Sequence, residues 1–275
     1  MDHYCDPGRF RCVDHAVEDI GTALRDLCSG AVPAIRIPWF LSAADAEHLT
    51  SSFLQCPEVE ERQDGVWGKY LGAYHYRRTF EDYRAQIDRT SEVLSELLKA
   101  AGDPLEHLND EISAALLSGS SARNRPAVWH GSPVATARMS AWLPSTDYLL
   151  DAHDDIGQLR DPEQKGFEPQ RIPDDGVIAV NLYTSSPAEG GKLRLWNVMS
   201  NTAVRHELGI AHSGYPYPGS FLDAYDYIDV QPRTGDLVLI NGAIPHAVTL
   251  HQADEPRVAV NYFFGRLGES IIRWV

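Results

Sequence analysis

His153-Asp154-Asp155, a distant His246 and then Arg257 are the residues whose types and spacing could do chemistry in this chain. Two neutral imidazoles and one carboxylate can occupy one face of an octahedral Fe(II), leaving three positions for a bidentate co-substrate and molecular oxygen. Residues i and i+2 of a strand point to the same side, so His153 and Asp155 can both reach one ion. Either histidine alone would read as a satisfied core residue, and H-x-D alone is common. Together the three gain force because each falls where a β-rich segment meets a loop. The donor set also suits Fe(II), whereas thiolate-rich sets suit structural zinc.

Arg257 opens the run Arg257-Val258-Ala259-Val260-Asn261-Tyr262-Phe263-Phe264. Strand alternation puts Arg257, Ala259, Asn261 and Phe263 on one face, and Val258, Val260, Tyr262 and Phe264 on the other. An arginine sharing a face with a small alanine fits a buried carboxylate ligand, which a guanidinium grips bidentately. The alternative is an ion pair at the edge of the core.

Such residues need a scaffold. From about Thr136 short β-rich runs alternate with Gly, Pro, Asp and Ser clusters: Thr136 to Leu143, Val177 to Thr184, Lys192 to Trp196, Asp236 to Asn241 and Arg257 to Phe264. This texture suggests a β-sandwich or barrel. Before it, the apolar period of Val17 to Cys28, the Ser42-capped Ala43 to Leu54, Glu81 to Ala101 and Leu105 to Leu117 predict helices that can buttress a sheet. A strand is expected through Ile35-Arg36-Ile37. The segment 199–229 is too long for a tight connection, and with Tyr215, Tyr217, Tyr225 and Tyr227 it reads as a lid. One catalytic domain over 1–275 is expected, mainly helical over 1–130, with a β core over 131–275.

The 43% apolar content permits a real core, and a formal charge of -15 argues against a nucleic-acid or anionic-membrane partner. Four cysteines without C-x-x-C spacing make a zinc or disulfide framework a weak reading. With neither a leader-like first segment nor an apolar run of spanning length, a cytoplasmic, soluble protein is the expectation. The sequence leaves the oligomeric state open.

The chain resembles the Fe(II)/2-oxoglutarate-dependent oxygenases of the double-stranded β-helix (jelly-roll, cupin-like) class. The resemblance rests on Arg138-Met139-Ser140-Ala141-Trp142-Leu143-Pro144 leading to His153-Asp154-Asp155, on Asn181-Leu182-Tyr183 leading to Glu189-Gly190-Gly191-Lys192-Leu193, and on Gly235-Asp236-Leu237-Val238-Leu239-Ile240-Asn241 before His246 and Arg257. The entry run Ala34-Ile35-Arg36-Ile37-Pro38-Trp39-Phe40-Leu41 is similar to the opening strand of prolyl-hydroxylase-like members. The layout is closest to carrier-independent halogenases acting on free small molecules, which also have a helical first half and end in an aromatic-rich strand, here Ile271-Ile272-Arg273-Trp274. Those enzymes have a small residue at the carboxylate position; with Asp155 there, the resemblance implies hydroxylation over halogen transfer.

By the same resemblance, His153, Asp155 and His246 bind Fe(II), and Arg257 pairs with the distal carboxylate of 2-oxoglutarate. Ala259 stands where many members carry Ser or Thr, leaving Asn181, Tyr183 or Asn261 to supply the second hydrogen bond. Arg138, Trp142, Tyr215, Tyr217 and Tyr225 are candidate substrate contacts, although packing accounts for the aromatic ones equally well. Tyr74-His75-Tyr76-Arg77-Arg78 could offer a cation to a substrate carboxylate or simply end a strand. Gly190-Gly191 reads as a turn. Asp223, Asp226 and Asp229 could attract an amine or form a solvated face.

The expected reaction is hydroxylation of an unactivated C–H of a free amino acid or natural-product intermediate, with release of succinate and CO2. Desaturation, cyclisation or epoxidation would need the same cofactors. A non-oxidative cupin-like binding barrel has no reason to hold a dicarboxylate beside a metal, and a long lid disfavours a polypeptide substrate.

Overall fold

The computed structural model describes residues 3–62, 68–118, 122–143 and 148–275; Pro144, at the end of one matching stretch, lies outside them. The eight strands between Arg138 and Leu267 divide four and four between two sheets. Arg138–Trp142, Val177–Ser185, Leu237–Asn241 and Arg257–Leu267 belong to the larger sheet, in which Arg257–Leu267 lies between Arg138–Trp142 and Val177–Ser185, and Leu237–Asn241 follows Val177–Ser185. Leu150–His153, Leu193–Trp196, Tyr227–Val230 and His246–Val248 form the smaller one, in the order Tyr227–Val230, Leu193–Trp196, His246–Val248, Leu150–His153. Crossing from sheet to sheet in this way is the double-stranded β-helix, a jelly roll.

Alternation within the strands decides what each sheet face meets. Val258, Val260 and Tyr262 join Leu237, Leu239, Ile178 and Val180 on the outer face of the larger sheet, under the helices. Ala259, Val238, Ile240 and Ala179 turn inward and pack with Leu193, Leu195 and Val248 of the smaller sheet. Four helices cover the outer face: α1 (Ile20–Cys28), α2 (Ala43–Gln55), α3 (Phe80–Ala100) and α4 (Pro104–Leu116). Their ends obey local chemistry. Ser42 Oγ accepts from the Asp45 N–H and Thr79 Oγ1 from the Asp82 N–H, both at 3.1 Å, satisfying first-turn donors. Gly30 and Gly102 follow α1 and α3 with φ of 74° and 76°, the left-handed stop that glycine adopts freely.

Two features differ from the sequence reading. The expected strand Ala34–Ile37 is present and pairs with Leu237–Asn241, but a second one, Gly68–Gly72, was not foreseen and pairs with Arg138–Trp142, so the larger sheet extends into the first 130 residues at both ends. The segment 199–229 is also more ordered than a simple flap. It forms two short helices, Thr202–Glu207 and Gly219–Leu222, and ends inside the strand Tyr227–Val230. No helix among the described residues is long and apolar enough to cross a membrane.

Candidate metal centre and its cavity

His153 and His246 stand directly opposite each other on neighbouring antiparallel strands. Opposed residues share a face, and the two imidazole centroids lie 4.2 Å apart. Each ring is held by its own backbone: Nδ1 lies 2.8 Å from the Asp151 carbonyl in His153 and 2.8 Å from the Ile244 carbonyl in His246. A carbonyl only accepts, so Nδ1 carries the proton and each Nε2 keeps its lone pair, the tautomer a metal ligand needs.

Asp155 lies just past the strand end, its backbone N–H donating to the Gly242 carbonyl at 2.8 Å. Its carboxylate oxygens stand 4.0 Å from His153 Nε2 and 3.5 Å from His246 Nε2. One ligand atom from each of the three residues falls within 4.8 Å of the other two. Gly242 makes room, since a Cβ there would meet Asp155 Oδ2 at 2.9 Å. That oxygen is buried with no hydrogen-bond partner among the described residues. Burial pushes the Asp155 carboxyl up to about 6, with Asp154 adding to the rise and His246 opposing it. Burial also holds His153 well below the ordinary imidazole range, with His246 acting in the same direction. A starved carboxylate facing two lone-pair nitrogens is a donor set that fits a divalent cation.

The cavity around this group is lined by His153, Asp155, His246 and Arg257, with Trp142 and Asn261 among its other walls. Arg257 is 1% exposed, and its Nη1 has no partner among the described residues. Nε donates to the Gly191 carbonyl at 3.0 Å and Nη2 to the Tyr183 hydroxyl at 2.7 Å. The guanidinium lies 4.7 Å from the Trp142 ring centroid. Burial pulls its pKa down while Tyr183 props it up. No carboxylate of the chain is paired with it among the described residues, so the reading of Arg257 as a core-edge ion pair has no support here. A buried guanidinium lacking an anion is costly, and the cradle fits one end of a dicarboxylate.

Of the three candidates for a second hydrogen bond, Tyr183 touches Arg257. Asn181 and Asn261 bond each other at 2.6 Å, and Asn261 lies four residues along the strand, roughly 13 Å in extended backbone. Arg138, Trp142 and Tyr215, candidate substrate contacts by sequence, line the cavity. Tyr217 and Tyr225 are not among the lining residues. Tyr217 is buried with its hydroxyl on Asp154 Oδ2 at 2.5 Å, and Tyr225 packs its ring on His3 and Phe221. Asp229 is paired with Arg194 at 2.7 Å.

Sequence reasoning missed three supports. The side chain of Asp154, which sits between the ligand residues, is 1% exposed and fully engaged. It accepts from the Ile156 and Gly157 N–H groups and lies 3.7 Å from buried Arg205. Gly191 is more than a turn, because its carbonyl fixes Arg257. The cavity's outer wall draws on Arg62, Tyr74, His75, Tyr76 and Arg77; the Tyr74-to-Arg78 run signalled this in part, and nothing in the sequence signalled Arg62. His130, His206, His212 and His251 are outside the metal-ligand group.

Known proteins agree with this architecture. The chain is 26% identical over 208 residues, 74% of its length and 69% of the relative's, to an L-isoleucine 3(1)-dioxygenase of Pantoea ananatis. In structure it is similar to an N-substituted L-amino acid dioxygenase from Burkholderia ambifaria, with TM-score 0.58 and 12% identity, covering 93% of this chain and 91% of the other. A non-haem alpha-ketoglutarate-dependent epimerase from nogalamycin biosynthesis gives TM-score 0.51 at 13% identity over 90% and 86%. At such identities the two structures speak for the fold. No protein-family model matches the chain. The resemblance to iron- and 2-oxoglutarate-dependent oxygenases that the motifs carry is borne out by these relatives, and the jelly-roll core with flanking helices is the fold they share.

Proposed function

We propose that the protein is a non-haem Fe(II)/2-oxoglutarate-dependent dioxygenase that hydroxylates a free amino acid or a closely related small molecule. The observation that carries this is the pairing, in one cavity, of the His153-Asp155-His246 group with a buried Arg257 that has no anionic partner among the described residues. The relative acting on isoleucine supports an amino acid as the substrate class. The four free cysteines suit a reducing compartment, and the reading places the enzyme in the cytoplasm.

When bound, iron with 2-oxoglutarate and oxygen supplies the oxidation, giving succinate and CO2 as the substrate C–H becomes C–OH. The chain's part is to hold and exclude. His153 and His246 offer Nε2 because their Nδ1 protons are committed to backbone carbonyls, and Asp155 offers the charge. Arg257 takes the distal carboxylate, the Tyr183 hydroxyl is free to donate to the same carboxylate, and the Trp142 ring covers the guanidinium against water. Tyr215, from the lid, closes the cavity near His153, their rings 6.4 Å apart.

The test is anaerobic loading with Fe(II) and 2-oxoglutarate, then air in the presence of a panel of L-amino acids. Succinate should form in step with a substrate mass gain of one oxygen, and Asp155→Ala should form neither. A protein that consumes no 2-oxoglutarate with any member of the panel would contradict the reading.

A further inference from the structure

The outer wall of the cavity has a polar chemistry that the iron and co-substrate do not use. His75 is 1% exposed and lines the cavity. Its Nδ1 lies 2.9 Å from Gln164 Oε1, while the Gln164 amide nitrogen donates to the His75 carbonyl. The carbonyl can only accept, so the amide nitrogen must face it and the amide oxygen must face the ring. Nδ1 therefore carries the proton, and Nε2 is a bare acceptor. It is buried without a partner among the described residues. Burial lowers the His75 pKa to about 4, which keeps the ring neutral and Nε2 an acceptor at physiological pH. A buried acceptor of this kind costs stability unless something donates to it.

A cation stands beside it. Arg138 lies opposite both Asn261 and Gly72 in the sheet, and its guanidinium sits 5.5 Å from the Tyr74 ring centroid. The Gly72 position has φ of 116°, and a Cβ there would crowd Arg138 Cα at 3.1 Å; the glycine lets the two strands close up. Arg257 and Trp142 form one opposed pair in this sheet and Asn261 and Arg138 another. The Arg138 end is thus four residues, roughly 13 Å of strand, from the end where a co-substrate would sit. Arg62 and Arg77 also line the cavity, so a chain of net charge -15 places several cationic side chains around it. Among the described residues, Asp154 and Asp155 are the acidic members of the lining, and Arg138 lies near enough to Asp155 to lower its pKa. Asp154 is engaged by Tyr217 and backbone N–H groups, and Asp155 belongs to the metal group.

We infer that His75 and Arg138 form the subsite for the head of an α-amino acid, with His75 Nε2 accepting from the substrate's amino N–H and the Arg138 guanidinium taking its carboxylate. This rests on the reading of the protein as a 2-oxoglutarate-dependent hydroxylase and deepens it: recognition is of the head group common to α-amino acids, at the opposite end of the sheet from Arg257. A single accepted N–H is available from either a primary or an N-alkylated amine.

The experiment compares, in the iron-loaded enzyme, the best amino acid of the panel with its desamino carboxylic acid and its carboxamide. In the parent protein each loss should raise KM by on the order of tenfold to a hundredfold, the range for hydrogen bonds to charged groups. His75→Phe should abolish discrimination against the desamino acid and leave discrimination against the carboxamide. Arg138→Gln should do the reverse, and His75→Gln, which keeps an acceptor, should restore part of the first preference. Unchanged discrimination ratios in both His75→Phe and Arg138→Gln would overturn the assignment. If either variant fails to fold, the analogue series on the parent decides alone: equal KM for all three compounds rejects the subsite. Succinate formation with equal KM values defeats only this inference, whereas no succinate with any amino acid defeats the function it rests on.

Discussion

Asp155 faces opposite requirements in the empty and metal-bound protein. Its native pKa of about 6 stands above the ordinary value of 3.8, so burial penalises the charged form. A group raised in the native state contributes stability below its unfolded pKa and loses that contribution as pH rises through the native one. The metal-free protein therefore carries an ionised, poorly solvated carboxylate at pH 7.5 and is relieved of it at pH 5.5. A divalent ion requires the charged form, so protons compete with it. Apparent Mn(II) affinity should fall about tenfold per pH unit below 6, and the metal-induced rise in Tm should be larger at pH 7.5 than at 5.5. Calorimetric titrations giving the same affinity at both values would contradict the assignment of Asp155 as a ligand. Arg257 is tested separately: Arg257→Ala should weaken 2-oxoglutarate binding by on the order of a hundredfold. Arg257→Lys should recover little, because an ammonium cannot reproduce the fork, and Tyr183→Phe should cost roughly tenfold. Equilibrium binding of 2-oxoglutarate to the Mn(II)-loaded variants reads all three.

At the scale of elements, the metal group is a product of strand pairing. His153 and His246 are 93 positions apart and meet because Leu150–His153 and His246–Val248 are neighbours in the smaller sheet. The residue types and the H-x-D spacing were readable from sequence, and so were the long alternating strands Val177–Ser185 and Arg257–Leu267 and the capped helices. The strands carrying the histidines were not, because three or four residues are too few for alternation to register. The strand Ala34–Ile37 was readable but its place beside Leu237–Asn241 was not, and Gly68–Gly72 was missed altogether, because both join the sheet through pairing with distant partners, which no local pattern reveals. The segment 199–229 shows the same limit. Its tyrosines were visible, but not that Tyr217 turns inward to Asp154, where Ser200 and Arg205 also converge. This ties the segment 199–229 to the residue between two of the proposed metal ligands, while Tyr215 lines the cavity. Tyr217→Phe removes one donor from a buried carboxylate, at about 1–3 kcal/mol. It should lower Tm by several degrees and raise the amino acid KM more than the 2-oxoglutarate KM. Equal effects on both would mean that the lid does not shape the substrate side.

Over the whole molecule, the site is built from both sheets at once. The smaller sheet brings the histidines, the larger brings Arg257, Tyr183 and Arg138, and the two share one packed interior. Ligands that bridge the sheets should therefore stabilise the fold as a unit, by RT ln(1 + [L]/Kd). At a hundredfold excess over Kd this is about 2.7 kcal/mol per ligand. At roughly 2 °C per kcal/mol for a chain of this size, it raises Tm by about 5 °C. Mn(II) alone should give one such step and 2-oxoglutarate with Mn(II) a second, each within a single cooperative transition. Arg257→Ala should keep the first step and lose the second, whereas Asp155→Ala should lose both, because in the proposed site the co-substrate would be held through the metal. Scanning calorimetry of the four combinations separates these cases. A second step that survives in Arg257→Ala would place the co-substrate elsewhere, and with it the division of the cavity into a deep end for 2-oxoglutarate and an outer end for the substrate.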